Sequence, residues 1–127
     1  MLYEYHDWDI MEWETISNIS DGFKRKIVGT DEATLVMNHI EPNIVFPVHN
    51  HPHKQIMYVI SGDGELLLEN ESKRLSTGGF VIIEPNAPHG YRTMGEKATI
   101  MLDIFIPRRP EYEEQYKKAV ARSQNVD

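Results

Sequence analysis

Turn-forming residues recur along this chain at intervals too short to leave room for helices. They stand at Gly29-Thr30-Asp31, Glu41-Pro42-Asn43, Ser61-Gly62-Asp63-Gly64, Asn70-Glu71-Ser72, Thr77-Gly78-Gly79 and Pro85-Asn86-Ala87-Pro88. Gly and Asn tolerate a positive φ and Pro pre-sets a negative one, so each cluster favours a reversal of direction. The runs between them are β-forming: Phe23–Val28, Ala33–Ile40, Ile44–Val48, Gln55–Ile60, Glu65–Glu69, Phe80–Ile83, His89–Thr93 and Ala98–Ile106. Many short strands at close spacing predict an all-β fold, a sandwich or small double-sheet barrel. No repeat or linker divides the 127 residues, which are one domain's worth.

Within that domain, residues 1–20 read as an N-terminal arm, 21–107 as the barrel and 110–122 as one short helix. Pro110 suits a first helical position, and Tyr112, Tyr116 and Val120 recur at helical spacing. Glu113–Lys117 and Glu114–Lys118 add pairs in the favourable orientation. Ala98–Ile106 constrains assembly. One face carries Thr99, Met101, Asp103 and Phe105, and the other Ala98, Ile100, Leu102, Ile104 and Ile106, all apolar. A strand with one solvated face shows polar residues there. The second face is therefore expected under the C-terminal helix or in a homodimer, with strand exchange by residues up to Val28 as one way to build the dimer.

Composition excludes several functions. There is no cysteine, so disulfides, thiolate metal sites and cysteine nucleophiles are ruled out. Thirteen basic residues against 20 acidic ones give a net charge of −7, which argues against a nucleic-acid partner. The basic residues form only short groups such as Lys24-Arg25-Lys26. The first residues are acidic with no apolar run behind them, so neither a leader nor a membrane anchor is expected, and the location expected is cytoplasmic.

Four of the six histidines lie in two segments, His49-Asn50-His51-Pro52-His53 and Pro88-His89. Residues two apart on a strand share a face, so His49 and His51 can present two imidazoles to one point. Gln55 has the same parity, and His89 comes from a distant segment folded alongside. Neutral imidazoles suit first-row divalent ions. His53 follows a proline bend that breaks parity, and is expected beside the ligands rather than among them. His39 alternates with Leu35 and Met37 and is expected to face a core or pocket.

At these residues the sequence resembles the cupin superfamily. His49, His51, Gln55 and Gly62 keep the spacing of its first motif, with Gln where Glu is usual, and Gly79, Pro85 and His89 match the second. The resemblance implies a small jelly-roll barrel. Further on, Asp103-Ile104-Phe105-Ile106-Pro107-Arg108-Arg109 is similar to the ending of the small pectin-degradation cupins, which also carry His-x-His-Pro-His and a Gln ligand. That group converts unsaturated uronates to open-chain keto forms. The resemblance implies one divalent first-row ion (Zn, Ni, Fe or Mn) on His49, His51, Gln55 and His89. It implies Asp103 and Arg109 as catalytic residues, with Phe105 and Arg109 against a small-molecule substrate.

The residues themselves permit that chemistry. Three His and one Gln add no anionic ligand, so the ion keeps its charge for Lewis-acid work. Asp103 can carry a proton and Arg109 can fork a carboxylate, while Arg108 has the opposite parity. Tyr91 follows His89 and is expected to reach substrate. Two other functions compete: a three-His iron dioxygenase, and a non-enzymatic cupin that binds a small molecule.

Overall fold

The computed structural model describes residues 2–124. A 3₁₀ turn at Trp8–Ile10 precedes ten strands: β1 (Glu14–Thr15), β2 (Phe23–Gly29), β3 (Thr34–Ile40), β4 (Val45–His49), β5 (Lys54–Ser61), β6 (Gly64–Leu67), β7 (Ser72–Arg74), β8 (Phe80–Ile83), β9 (His89–Thr93) and β10 (Thr99–Ile106). One helix, α1 (Pro110–Gln124), follows. The strands form a six-stranded sheet, β1-β2-β3-β10-β5-β8, and a four-stranded sheet, β4-β9-β6-β7, with every pair antiparallel. This is a jelly roll. Among the described residues no helix is long and apolar enough to cross a membrane.

Turn chemistry places the reversals where the sequence implies them. Asn43 and Asn86 take φ of 64° and 66°, the left-handed conformation that asparagine adopts more readily than most side chains. Two strands lack a sequence signal. β1 is two residues long, and β7 begins at Ser72, inside a segment that reads as a turn.

Alternation along the strands divides the molecule into an inner and an outer surface. Met57, Val59, Leu66, Ile83, Tyr91 and Met101 meet between the sheets and close one half of the barrel. At the other half, Ile27, Val36 and Phe105 pack with Tyr116 of α1, supported by Met11, Tyr112 and Val120. The helix therefore lies against β2 and the arm, not over the outer face of β10. Glu113 anchors it. Its carboxylate is buried and accepts hydrogen bonds from Thr34 Oγ1, at 2.7 Å, and from Arg108. The pairing expected with Lys117 on the helix surface yields to this inward contact. A Cβ on Gly29 would collide with the same carboxylate, so the latch needs glycine there.

β2 pairs along its length with β3 of the same chain. One expectation is corrected by the topology: His39 lies on the outer face of the sheet and not in the cavity, half-buried opposite Lys24 and edge-on to Trp13 at 5.8 Å.

Candidate metal centre and cavity

His49 ends β4 directly opposite His89, the first residue of β9. A register shift between Phe46 and His49 brings them together, and Gly90 permits it, since a Cβ there would meet the backbone of Phe46 and Pro47. His51 arrives differently from the expectation. It lies beyond β4 in a bend, held by its carbonyl accepting from the Asn86 amide at 2.7 Å. Parity on one strand is thus not what unites His49 and His51; two turns meeting side by side do so. The three imidazoles offer ligand atoms within 4.8 Å of one another.

Gln55, on β5, completes the group. Its Oε1 lies 3.0 Å from Nε2 of both His51 and His89. Its Nε2 donates to Asp103 Oδ1 at 2.8 Å, which fixes the orientation of the amide. The arrangement is short of protons. His89 Nδ1 sits 2.8 Å from the Ala87 carbonyl and must donate to it, so a neutral ring has only a lone pair at Nε2. That lone pair then faces the Gln55 oxygen, another acceptor. His49 Nδ1 is likewise committed to the Pro47 carbonyl at 2.8 Å. Burial pushes the His51 and His89 pKa values down, which keeps these rings neutral. Facing acceptors with nothing between them repel, and a cation removes the conflict. Imidazole nitrogens and an amide oxygen fit a first-row divalent ion. His53 does not join them; it packs edge-on to Phe105 at 6.4 Å and beside His51 at 5.6 Å.

The group opens into a cavity of about 340 Å³ between the sheets, the size class of a small-molecule site. Asp103, Phe105 and Arg109 all line it. Asp103 accepts from Gln55 at Oδ1 and from Asn38 Nδ2 at Oδ2, 3.0 Å away. Burial pushes its pKa up to about 6, against these two hydrogen bonds and the nearby Arg109 charge, which pull it down. Arg109 stacks on Phe105 and Tyr112, at 4.9 and 3.9 Å from the ring centres, and pairs with Glu111 at 2.9 Å. Its backbone N–H is held by Thr34 Oγ1 at 2.7 Å. Arg108 points away, to Glu113.

Tyr91 lines the cavity by its ring rather than by its hydroxyl. Its ring forms part of the cavity wall, but the residue is 2 % exposed and its hydroxyl donates to the Leu75 carbonyl at 2.6 Å. The phenol is committed to the core and has no proton to offer a ligand. Asn38, Arg25 and Tyr112 are cavity residues that sequence reasoning missed. For Asn38 a signal existed, because Thr34, Val36, Asn38 and Ile40 share the inward face of β3 and a lone amide interrupts it.

The family model of the cupin domain matches residues 36–105. The chain belongs to the cupin family. It is 32% identical over 106 residues to the pectin degradation protein KdgF of Dickeya dadantii, spanning 82% of this chain and 93% of that one. The structure of KdgF from a Halomonas species matches with a TM-score of 0.77 at 30% identity, over 86% of this chain and 99% of that one. An RmlC-like cupin from Shewanella frigidimarina shares the fold, with a TM-score of 0.75 at 24% identity over 87% of this chain and 96% of that one. The similarity thus supports a three-His cupin related to a pectin-degradation protein.

Proposed function

We propose that this protein is a metal-dependent isomerase that opens or tautomerises a small sugar acid, with an unsaturated uronate as the candidate substrate. The observation that carries the proposal is the Gln55 amide, whose oxygen faces the histidines while its nitrogen holds Asp103 inside the same cavity. Similarity to the pectin degradation protein KdgF supports the substrate class. A divalent ion held by His49, His51, Gln55 and His89 supplies Lewis-acid polarisation of substrate oxygens. Arg109 receives the carboxylate in a charge-assisted contact, and Phe105 walls the ring. Each Asp103 oxygen accepts one amide hydrogen and keeps a second lone pair, which can take a proton from the substrate and return it. Opening is an isomerisation: the anomeric hydroxyl loses its proton, the ring C–O bond breaks and the released enol takes a proton on carbon. A group that accepts and then gives back one proton balances it.

The test follows loss of the conjugated double bond of an unsaturated uronate by ultraviolet absorbance, corrected for spontaneous opening. Acceleration that is lost with chelator or His51→Ala, and recovered on adding back a divalent ion to the chelated wild type, is expected. The same chelation should lower the melting temperature by mass action. No acceleration by metal-loaded protein would overturn the proposal. Oxygen consumption would mark the competing dioxygenase.

A second copy of the chain is proposed to cover the outer face of the six-stranded sheet. Ile56, Tyr58 and Ile60 of β5 stand there beside Leu102 and Ile104 of β10 and Phe80 and Ile82 of β8. Phe80 and Ile82 are more than half exposed. Three adjacent strands spaced ~4.8 Å carry this apolar face, and a contiguous exposed apolar patch of this kind marks a site of protein association. Light scattering at micromolar concentration is expected to give a dimer that Phe80→Asp dissociates. A wild-type monomer would remove the proposal.

A further inference from the structure

Arg25 occupies an inward position of β2, opposite Asn38 on one side and Glu14 on the other. It is 6 % exposed and lines the cavity. A guanidinium has five N–H donors. In this chain one of them, Nε–H, meets Glu14 Oε1 at 3.3 Å, a long contact for opposite charges. The guanidinium carbon lies 4.5 Å from the centre of the Tyr112 ring, and that of Arg109 lies 3.9 Å from the same centre. The two cations therefore stand no further apart than those distances together. A buried arginine whose one hydrogen bond among the described residues is a long ion pair, with a cation–π contact to Tyr112 beside it, is costly, and an aliphatic residue would seal this wall more cheaply. Phe23, Ile40 and Phe46 line the same cavity with apolar surface.

We infer that Arg25 is a substrate-binding residue, forming with Arg109 a two-guanidinium clamp about Tyr112 that takes the carboxylate of a small organic acid. This rests on the proposal that the cavity receives a sugar acid, and adds the residue that selects the acid over the neutral sugar. Asn38, which holds Asp103, is the cross-strand partner of Arg25. The two side chains therefore enter the cavity from adjacent strand positions, both on its lining. Glu14 balances the Arg25 charge when the cavity is empty, and competes with the ligand for the guanidinium.

The test is binding of galacturonate and of its neutral amide to metal-loaded protein, by calorimetry or chemical-shift titration. Arg25→Met alone strands the buried Glu14 carboxylate, so the Arg25→Met/Glu14→Gln double variant is the decisive protein. We expect it to bind galacturonate roughly ten- to a hundredfold more weakly, the worth of a charge-assisted contact, with amide binding unchanged. Glu14→Gln alone should tighten galacturonate several-fold and leave the amide alone, an outcome a purely structural ion pair would not produce. Galacturonate binding equal to wild type in the double variant, equal losses for acid and amide, or no binding of the acid by the wild type would each overturn the inference. Arg25-dependent binding without turnover of the unsaturated uronate would instead retain the clamp and reject the proposed reaction.

Discussion

Two of the carboxylates in this molecule, Glu113 and Asp103, are held in opposite ways. Glu113 meets a cation, Arg108, and the Thr34 hydroxyl, which hold its pKa below the usual range although burial alone would raise it. Asp103 meets two neutral amides, from Gln55 and Asn38, and its pKa is pushed up to about 6 by burial. One acid is a latch that stays ionised. The other is oriented without being neutralised, and its proton affinity lies near the range where transfer is useful. An ion pair secures structure, whereas neutral donors secure position and leave the acid free to react.

The largest effect expected from that contrast is on turnover. Asp103→Asn keeps the shape and removes the proton acceptor, so kcat for uronate opening should fall by roughly 10²–10⁴. Thermal stability should change by less than about 1 kcal/mol, since only one amide loses its partner. A variant that loses stability instead of turnover would break the contrast.

Glu113→Gln is the converse. It should destabilise by about 1–3 kcal/mol at neutral pH, seen in denaturant melts, with kcat altered less than tenfold. Its pH dependence has a definite sign. A folded pKa below the unfolded one means stabilisation that is full above the unfolded value, about 4.5, and is lost as pH falls through the folded value. The variant should therefore lose less stability than the wild type on acidification. An unchanged acid limb would remove Glu113 from the comparison.

Tyr91→Phe tests the smallest claim. Loss of the hydroxyl bond to Leu75 should cost about 0.5–1.5 kcal/mol of stability with catalysis unaltered. A rise in KM would return Tyr91 to the substrate.

Much of this was legible in the sequence, and the exceptions share a cause. Turn residues located most strands, because Gly, Pro and Asn act locally. β1 and β7 carry too few residues for alternation to register, and both sit at sheet edges. His49, His51, Gln55 and His89 could be grouped from spacing and family motif. The route by which His51 arrives could not, because it depends on a bend pinned by Asn86 across the barrel. Glu113 has the spacing of a surface pair with Lys117, yet Thr34 and Arg108 claim it from elsewhere in the fold. Arg25 was hidden for the same reason, since its value lies in which strand stands next to it, whereas Asn38 showed as a lone amide on the inward face of β3.

The Gln55 amide is also a lock on what can evolve at this site. The broader cupin motif carries Glu at that position, and the swap changes one atom. In this chain that atom is the donor to Asp103, so a Glu there would set two carboxylates against each other at hydrogen-bond distance. One would have to carry a proton, so the side chain at position 55 could not be changed without also reassigning the acid. Redesign toward a carboxylate-ligated, oxygen-activating iron centre therefore has to begin at Asp103, with the ligand replaced second.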